Sequence, residues 1–440
     1  MLVYEYKLRL CRAQAMAIDE AIRTTQFIRN KAVRLWMDGW GVSANDLQLL
    51  CSRLAQEYPF AAALNSQARQ AAAARAWTAI ERFYTNCREQ RPGKKGYPRF
   101  QRDCSSVEYK ATGWQLDSAG KRLTLTDGGG IGQVRLIGSR ELATFPREQI
   151  KRVRLLRRAD GYYAQFVLQV ERRIEHAASG LAVGIDMDIA SYLTDSAGQA
   201  VANPRFIRMA EARLQRYQRR LSRRSVYHKK GKKPRNNHAA RQRARQNKYP
   251  PAAPAIPSSS PSPHGPPPGA PRQSANWGKA KQRVGRAHLT LQRQREDFAR
   301  KQASALISSH DLIALEDLQV RNLVRNRRLA KAISDVGWSR FRRWVEYYGR
   351  LHGVAVVAVP PEYTSQDCSG ILPDGSPCRA RIRKSLSMRT HICPRCGLIL
   401  DRDHNAALMI LQRGLALARA DGRWPPETRE TRGTVGHTGT

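Results

Sequence analysis

In Cys393-Pro-Arg-Cys396-Gly397-Leu-Ile-Leu400-Asp401-Arg402-Asp403-His404-Asn405-Ala406-Ala407 a cysteine knuckle runs straight into two aspartates and the start of an apolar helix face. The CxxC spacing lets two thiolates reach one tetrahedral ion from a single turn, and Gly397 lets the backbone reverse behind them. Cys368 and Cys378 complete a set of four, although Ser369-Gly-Ile-Leu-Pro-Asp-Gly-Ser-Pro377 holds them further apart than a second CxxC would. Four thiolates close a coordination sphere, so zinc held by Cys368, Cys378, Cys393 and Cys396 is expected to be structural; the alternative is four free cysteines, with His391 as a substitute ligand. Cys11, Cys51, Cys87 and Cys104 are scattered and read as ordinary small residues.

Outward from this stretch, two apolar runs end in carboxylates, Leu181-Ala-Val-Gly-Ile-Asp186 and Leu312-Ile-Ala-Leu-Glu316. An ionised carboxylate at the end of a buried strand is costly unless a cation or donors compensate it. Asp186, Glu316 and Asp403 on one sheet edge would repel one another. A pair of Mg2+ or Mn2+ ions removes the repulsion and suits phosphodiester hydrolysis, one ion activating water and the other stabilising the leaving oxygen. Either aspartate of Asp401-Arg402-Asp403 fits this chemistry, and Asp403, beside the helix start, is favoured. Taken singly, each carboxylate reads equally well as a turn, cap or solvated strand end; the joint arrangement points to a site.

Among 440 residues, 77 Lys and Arg face 36 Asp and Glu, a formal charge of +41. A compact body so charged repels itself unless a polyanion accompanies it, and nucleic acid is the economical partner. A membrane surface is the weaker alternative, since no 18-residue apolar run occurs. The charged first strand is not a signal peptide, and an intracellular, reducing compartment follows, favouring metal ligation over disulfides.

Leu2 to Leu10 alternates like a half-buried strand. Helical spacing runs from Ala13 to about Trp40 and from about Ala61 to Asn86. Val107 to Val170 reads as strands, a small barrel or sheet that Leu2 to Leu10 joins, and Asp127-Gly-Gly-Gly-Ile-Gly132 reads as a hairpin turn rather than a phosphate cradle. Beyond Leu181 follow strands at 181–186 and 190–194, a basic helix and loop over 205–248 that includes Arg213, Arg216, Arg219, Arg220, Lys229 and Lys233, and a Pro-rich run over 250–271 expected to be disordered. Helices over about 277–309 and 330–351, a buried strand over 354–359 and a last helix from Asn405 to about Ala420 complete the pattern.

These residues resemble the TnpB family, RNA-guided nucleases of bacterial insertion sequences related to type V CRISPR effectors. The resemblance rests on Gly184-Ile-Asp186, Leu315-Glu316-Asp317-Leu318, Thr364-Ser365-Gln366-Asp367-Cys368-Ser369, Cys393-Pro-Arg-Cys396-Gly397 and Asp401-Arg402-Asp403-His404-Asn405-Ala406-Ala407, and covers Leu181 to Leu411. It implies a multidomain α/β protein with a β-barrel: a wedge-like barrel over 1–10 and 105–178, a helical recognition domain over 11–104, an RNase H-like (RuvC) nuclease domain over 179–362 and 398–420, a zinc ribbon over 363–397 and a disordered tail over 421–440. It also implies that Asp186, Glu316 and Asp403 form the catalytic, metal-binding triad, and that a guide RNA from the transposon end directs cleavage of double-stranded DNA beside a short flanking motif, in a cytoplasmic, nucleoid-associated setting. Two other readings are a zinc-ribbon protein or RNA-guided repressor that binds DNA without cutting it, and a transposase that joins DNA ends. The wide first cysteine pair and the Pro-rich insertion depart from the family pattern.

Overall fold

The computed structural model describes residues 2–225, 274–385 and 387–425. The Pro-rich run over 250–271, the basic run from 226 onward and residues 426–440 lie outside them. Two compact units result, Met1–Glu171 with Arg219–Arg286 and Arg172–Gln218 with Ala287–Thr440.

The first unit begins with β1 (Leu2–Arg9) and helices α1 (Arg12–Asp38), α2 (Ala44–Glu57), α3 (Pro59–Ala63) and α4 (Ser66–Arg88). Ile18, Ile22, Ile28 and Val33 recur on the buried face of α1. α2 is a helix beyond the expected ones, although its Leu47, Leu50, Cys51 and Leu54 fall at helical spacing; Ser43 caps the Asp46 amide and Asp46 accepts back from Ser43, a capping box that starts it. Six strands follow: β2 (Ser106–Tyr109), β3 (Trp114–Leu116), β4 (Arg122–Leu125), β5 (Gln133–Ile137), β6 (Ile150–Arg158) and β7 (Gly161–Leu168). They form with β1 an antiparallel sheet of order β2-β6-β7-β1-β5-β4-β3. Its edges are β2 and β3, which are consecutive in the chain. Tyr109 and Trp114 stand at most about 18 Å apart along the backbone, whereas seven flat strands spaced about 4.8 Å would separate the edges by about 29 Å. The sheet must therefore curl. Trp114, Tyr109 and Phe166 fill it and share one core with Ile18, Ile28, Leu47 and Ile80 of the helices. The Asp127–Gly132 stretch joins β4 to β5, and its Asp127 already accepts from Tyr109 (2.5 Å) and the Asn65 amide (2.6 Å), as a turn rather than a phosphate cradle would.

The second unit holds β8 (Ala182–Asp186), β9 (Ser191–Asp195), β10 (Ala200–Ala202), most of α5 (Phe206–Arg223) and α6 (Ala275–Ser309), β11 (Leu312–Glu316), α7 (Val320–Leu323), α8 (Ala330–Val336), α9 (Trp338–His352), β12 (Ala355–Val359), β13 (Thr390–Ile392), β14 (Ile399–Asp401) and α10 (Arg402–Ala420). The helix expected over 330–351 is two, because Gly337 takes φ +78° and caps α8 as a left-handed residue. Its main sheet has the order β10-β9-β8-β11-β12. β8, β9 and β10 form an antiparallel meander, while β11 runs parallel to both β8 and β12.

Strand alternation sorts the two faces. Val183, Ile185, Ile313 and Leu315 pack on Ile307, Phe341 and Val345, while Leu312 and Ala314 face Ile410 and Ala418 of α10. On that second face small residues admit the helix: a Cβ on Gly184 would stand 2.2 Å from the Ala407 carbonyl oxygen, and one on Gly414 2.3 Å from the Ala314 Cβ. Among the described residues no helix is long and apolar enough to cross a membrane.

Candidate active site and metal centre

Parallel pairing sets Leu315 opposite Ile185, so the carboxyl ends of β8 and β11 lie side by side and bring Asp186 and Glu316 to one edge. Such an edge is where open α/β sheets bind ligands. Burial, followed by the neighbouring Glu316, Asp403 and Asp188 carboxylates, pushes the Asp186 carboxyl well above its usual range, with Arg402 opposing. Glu316 is 7% exposed. Burial also raises its pKa, against a hydrogen bond from the Thr364 hydroxyl and the charge of Arg413. The adjacent Asp317 turns instead to Arg342.

The two aspartates that follow the knuckle are given different work. Asp401 is the N-cap of α10, its Oδ1 accepting the amides of Asp403 (2.8 Å) and His404 (3.2 Å). Asp403 faces the cluster: burial and then Asp188 raise its pKa, while Arg402, 3.2 Å from its Oδ1, lowers it. Asp188 is a fourth carboxylate, one that no sequence motif singles out. One Arg389 nitrogen stands 3.2 Å from Asp188 and 3.4 Å from Asp403. Beside them opens a cleft of about 840 Å³ lined by Asp188, Arg205, Arg208, Arg328, Arg389 and Arg402. Lys331, Glu211, Asp335 and apolar side chains also line it, so cations outnumber carboxylates, and an excess of positive charge leading to the acidic cluster suits a phosphodiester strand. The oxygen-only donor set of Asp186, Glu316 and Asp403 suits a hard divalent ion.

The four cysteines come together. Their sulfurs all lie within 4.8 Å of one another, the set of His, Cys, Asp and Glu ligand atoms that does so among the described residues. The carboxylate oxygens are thus less tightly gathered. Cys368 and Cys396 sulfurs are 3.5 Å apart and Cys378 and Cys393 3.7 Å. A zinc tetrahedron with bonds of about 2.3 Å has edges of about 3.8 Å, so the cage fits the ion. The long first gap folds as a hairpin. Leu372 and Ser376 close it (2.8 Å), Gly375 turns it at φ +77°, and the Cys378 amide donates to Gly370 (2.8 Å), returning Cys378 beside Cys368. His391 stands outside the sulfur set and meets Lys384 through Nδ1. A Cβ on Gly370 would lie 2.7 Å from the Cys396 sulfur and 3.3 Å from that of Cys368. Gly370→Ala is expected to weaken zinc retention by at least about tenfold in a chelator competition; retention equal to wild type would refute the cage geometry.

Cage and helix are fastened together by a buried amide. Asn405 Oδ1 accepts the Ser369 amide (3.1 Å) and hydroxyl (3.0 Å), and its Nδ2 donates to the Asp367 carbonyl (2.9 Å). Asp367 pairs with Arg381 (2.8 Å) and with Arg413 of α10 (2.7 Å). Asp367, Ser369 and Asn405 thus account for two of the sequence motifs as structural ties.

Two family models match this unit and the helix leading into it: "Cas12f1-like, TNB domain" over residues 338–410 and "OrfB_IS605, Probable transposase" over 271–327. A Streptomyces pristinaespiralis protein named "Putative RNA-guided DNA endonuclease" is 29% identical over 255 residues, 58% of this chain and 50% of its own length. InsQ of Escherichia coli K12, named likewise, is 25% identical over 306 residues, 66% of this chain and 62% of its own. "TnpB-like protein L79" of Acanthamoeba polyphaga mimivirus is 26% identical over 134 residues, 29% of this chain and 24% of its own. The chain is TnpB-like. It spans half of the Streptomyces relative and under two thirds of InsQ. Among solved structures, the "mini-RNA-guided endonuclease CRISPR-Cas_phi3" aligns over 94% of this TnpB-like chain and 92% of its own at 9% identity, with a TM-score of 0.46.

Proposed function

We propose that the protein is an RNA-guided, divalent-metal-dependent DNA endonuclease, transposon-associated and acting in the cytoplasm at the nucleoid, which cuts double-stranded DNA beside a short flanking motif. The observation that carries this reading is the parallel pairing that sets Asp186 and Glu316 side by side at the carboxyl ends of β8 and β11, with Asp403 at the head of α10 near enough that, after burial, Glu316 and Asp403 together raise the Asp186 carboxyl. A meander followed by two parallel strands is the arrangement expected of an RNase H-like, RuvC-type domain. In this reading Asp186, Glu316 and Asp403 hold Mg2+ or Mn2+, which when bound activates water and neutralises the leaving oxygen. The cationic wall of Arg205, Arg208 and Arg328 orients the strand, and Arg389 and Arg402 offset the carboxylates' charge. The four cysteines hold zinc as a structural ion. The curled sheet and helices of the first unit serve as wedge (1–10 and 105–178) and recognition (11–104) parts that grip the guide RNA and read the flanking motif.

Purified protein is expected to carry a small RNA whose sequence predicts its DNA target. It should cleave that target with Mg2+ and not with EDTA. Absence of RNA, or cleavage that ignores the guide, sinks the guided reading; tight target binding without any cleavage favours a repressor.

A further inference from the structure

Thr364 lies outside the carboxylate set, yet it is 3% exposed and its hydroxyl donates to Glu316 Oε1. The same oxygen is 3.3 Å from the Pro361 carbonyl, but a hydroxyl has one hydrogen and the ionised carboxylate is the stronger acceptor. A β-branched side chain has few rotamers, so the backbone aims this hydroxyl. That backbone is fixed on both sides. Before it, Tyr363 takes φ +62°, rare for a bulky residue, with the Arg381 guanidinium 3.7 Å from its ring centre. After it, the amides of Gln366 and Asp367 both donate to the Tyr363 carbonyl (2.9 Å each), Asp367 is clasped by Arg381 and Arg413, and Cys368 follows as a cage cysteine. One short turn therefore runs from a cage sulfur to a site carboxylate.

We propose that Thr364 is a positioning residue that aims Glu316 into the site, and that the cysteine cage sets where its hydroxyl stands. The inference rests on the reading that the carboxylates bind a divalent cation. Partners of ligating carboxylates orient them, and losing such a partner costs about 10- to 100-fold in metal affinity.

The test is a Mn2+ titration of the full-length chain freed of nucleic acid, followed by electron paramagnetic resonance, with zinc content and the unfolding midpoint measured in parallel. Thr364→Val keeps the shape and removes the hydroxyl; it is expected to weaken Mn2+ binding about tenfold or more while zinc content stays at the wild-type value. Thr364→Ser should restore binding. Cys378→Ser should weaken Mn2+ binding in the wild-type background and add little to Thr364→Val, since coupled residues are non-additive. Wild-type affinity in Thr364→Val, or Thr364→Ser as weak as Thr364→Val, overturns the positioning role. Strictly additive effects of Cys378→Ser and Thr364→Val overturn the link to the cage. A wild-type chain that binds no Mn2+ overturns this inference together with the metal reading beneath it.

Discussion

Asp186→Asn is expected to raise the unfolding midpoint of the metal-free protein at neutral pH while abolishing cleavage. The folded Asp186 carboxyl titrates well above its usual range, first through burial and then through Glu316, Asp403 and Asp188. In the unfolded chain it titrates near the ordinary value of about 3.9. The fold therefore holds this proton more tightly than the unfolded chain does, and stability linked to it is present at low pH and lost as pH rises through the raised value. Asparagine removes that loss. Its advantage should shrink as the pH falls into the ordinary carboxylate range and should reverse when Mg2+ is added, because only the wild type gains stability from bound ion. Cleavage should drop by at least about 10³-fold, about 4 kcal/mol of transition-state stabilisation. Differential scanning fluorimetry with and without Mg2+, beside a guided cleavage assay, reads both effects. A destabilised metal-free Asp186→Asn protein, or one that still cuts, removes Asp186 from the site.

Gly184→Ala should be far more damaging than its single methyl suggests. The added carbon would meet the Ala407 carbonyl oxygen at 2.2 Å and the Leu411 nitrogen at 2.5 Å, both backbone atoms of α10. Gly414 seats the same helix on Ala314, where an added Cβ would stand 2.3 Å from the Ala314 Cβ, so a helix pushed off Gly184 gives up that packing as well. Overpacking against backbone should cost about 3 kcal/mol or more, which in a unit of roughly 200 residues unfolding by itself lowers the midpoint by roughly 6 to 12 °C. Asp403 rides on the displaced helix, so cleavage should fall even at temperatures where the variant is folded. Gly278→Ala is the control: it is helical, a Cβ there meets nothing within 4 Å, and the change should stabilise by up to about 1 kcal/mol. Equal effects at the two positions would dismiss the close approach of α10 to the sheet.

The strands that carry Asp186 and Glu316 are legible because a short apolar run that ends in a carboxylate fits a buried strand and little else. α2 is equally legible, since Leu47, Leu50, Cys51 and Leu54 recur at i, i+3, i+4 and i+7 behind the start signal of Ser43 and Asp46, even though it is not among the expected helices. Helical spacing on both sides of Gly337 hides the break there, since periodicity does not register one left-handed residue. Asp188 sits just past the end of β8, beyond any period, and only its place next to Arg389 and Asp403 identifies it. Asp374-Gly375 is a turn signal that marks the wide cysteine gap as a hairpin. The choice between Asp401 and Asp403 depends on which carboxylate the helix amides claim, a matter of three-dimensional geometry.

That hairpin also makes the first knuckle adjustable in length. Leu372 and Ser376 close it across the base of the turn, and the bonds that return Cys378 to Gly370 lie below them, so the sulfurs do not sense what lies at the tip. Asp374 and Gly375 are exposed there. Exposed tips whose ends are already joined accept added chain at small entropic cost, because closure grows only slowly with loop length. The tip is accordingly a graft point, where an epitope or a tethered effector can be carried on the ribbon without reshaping the cage.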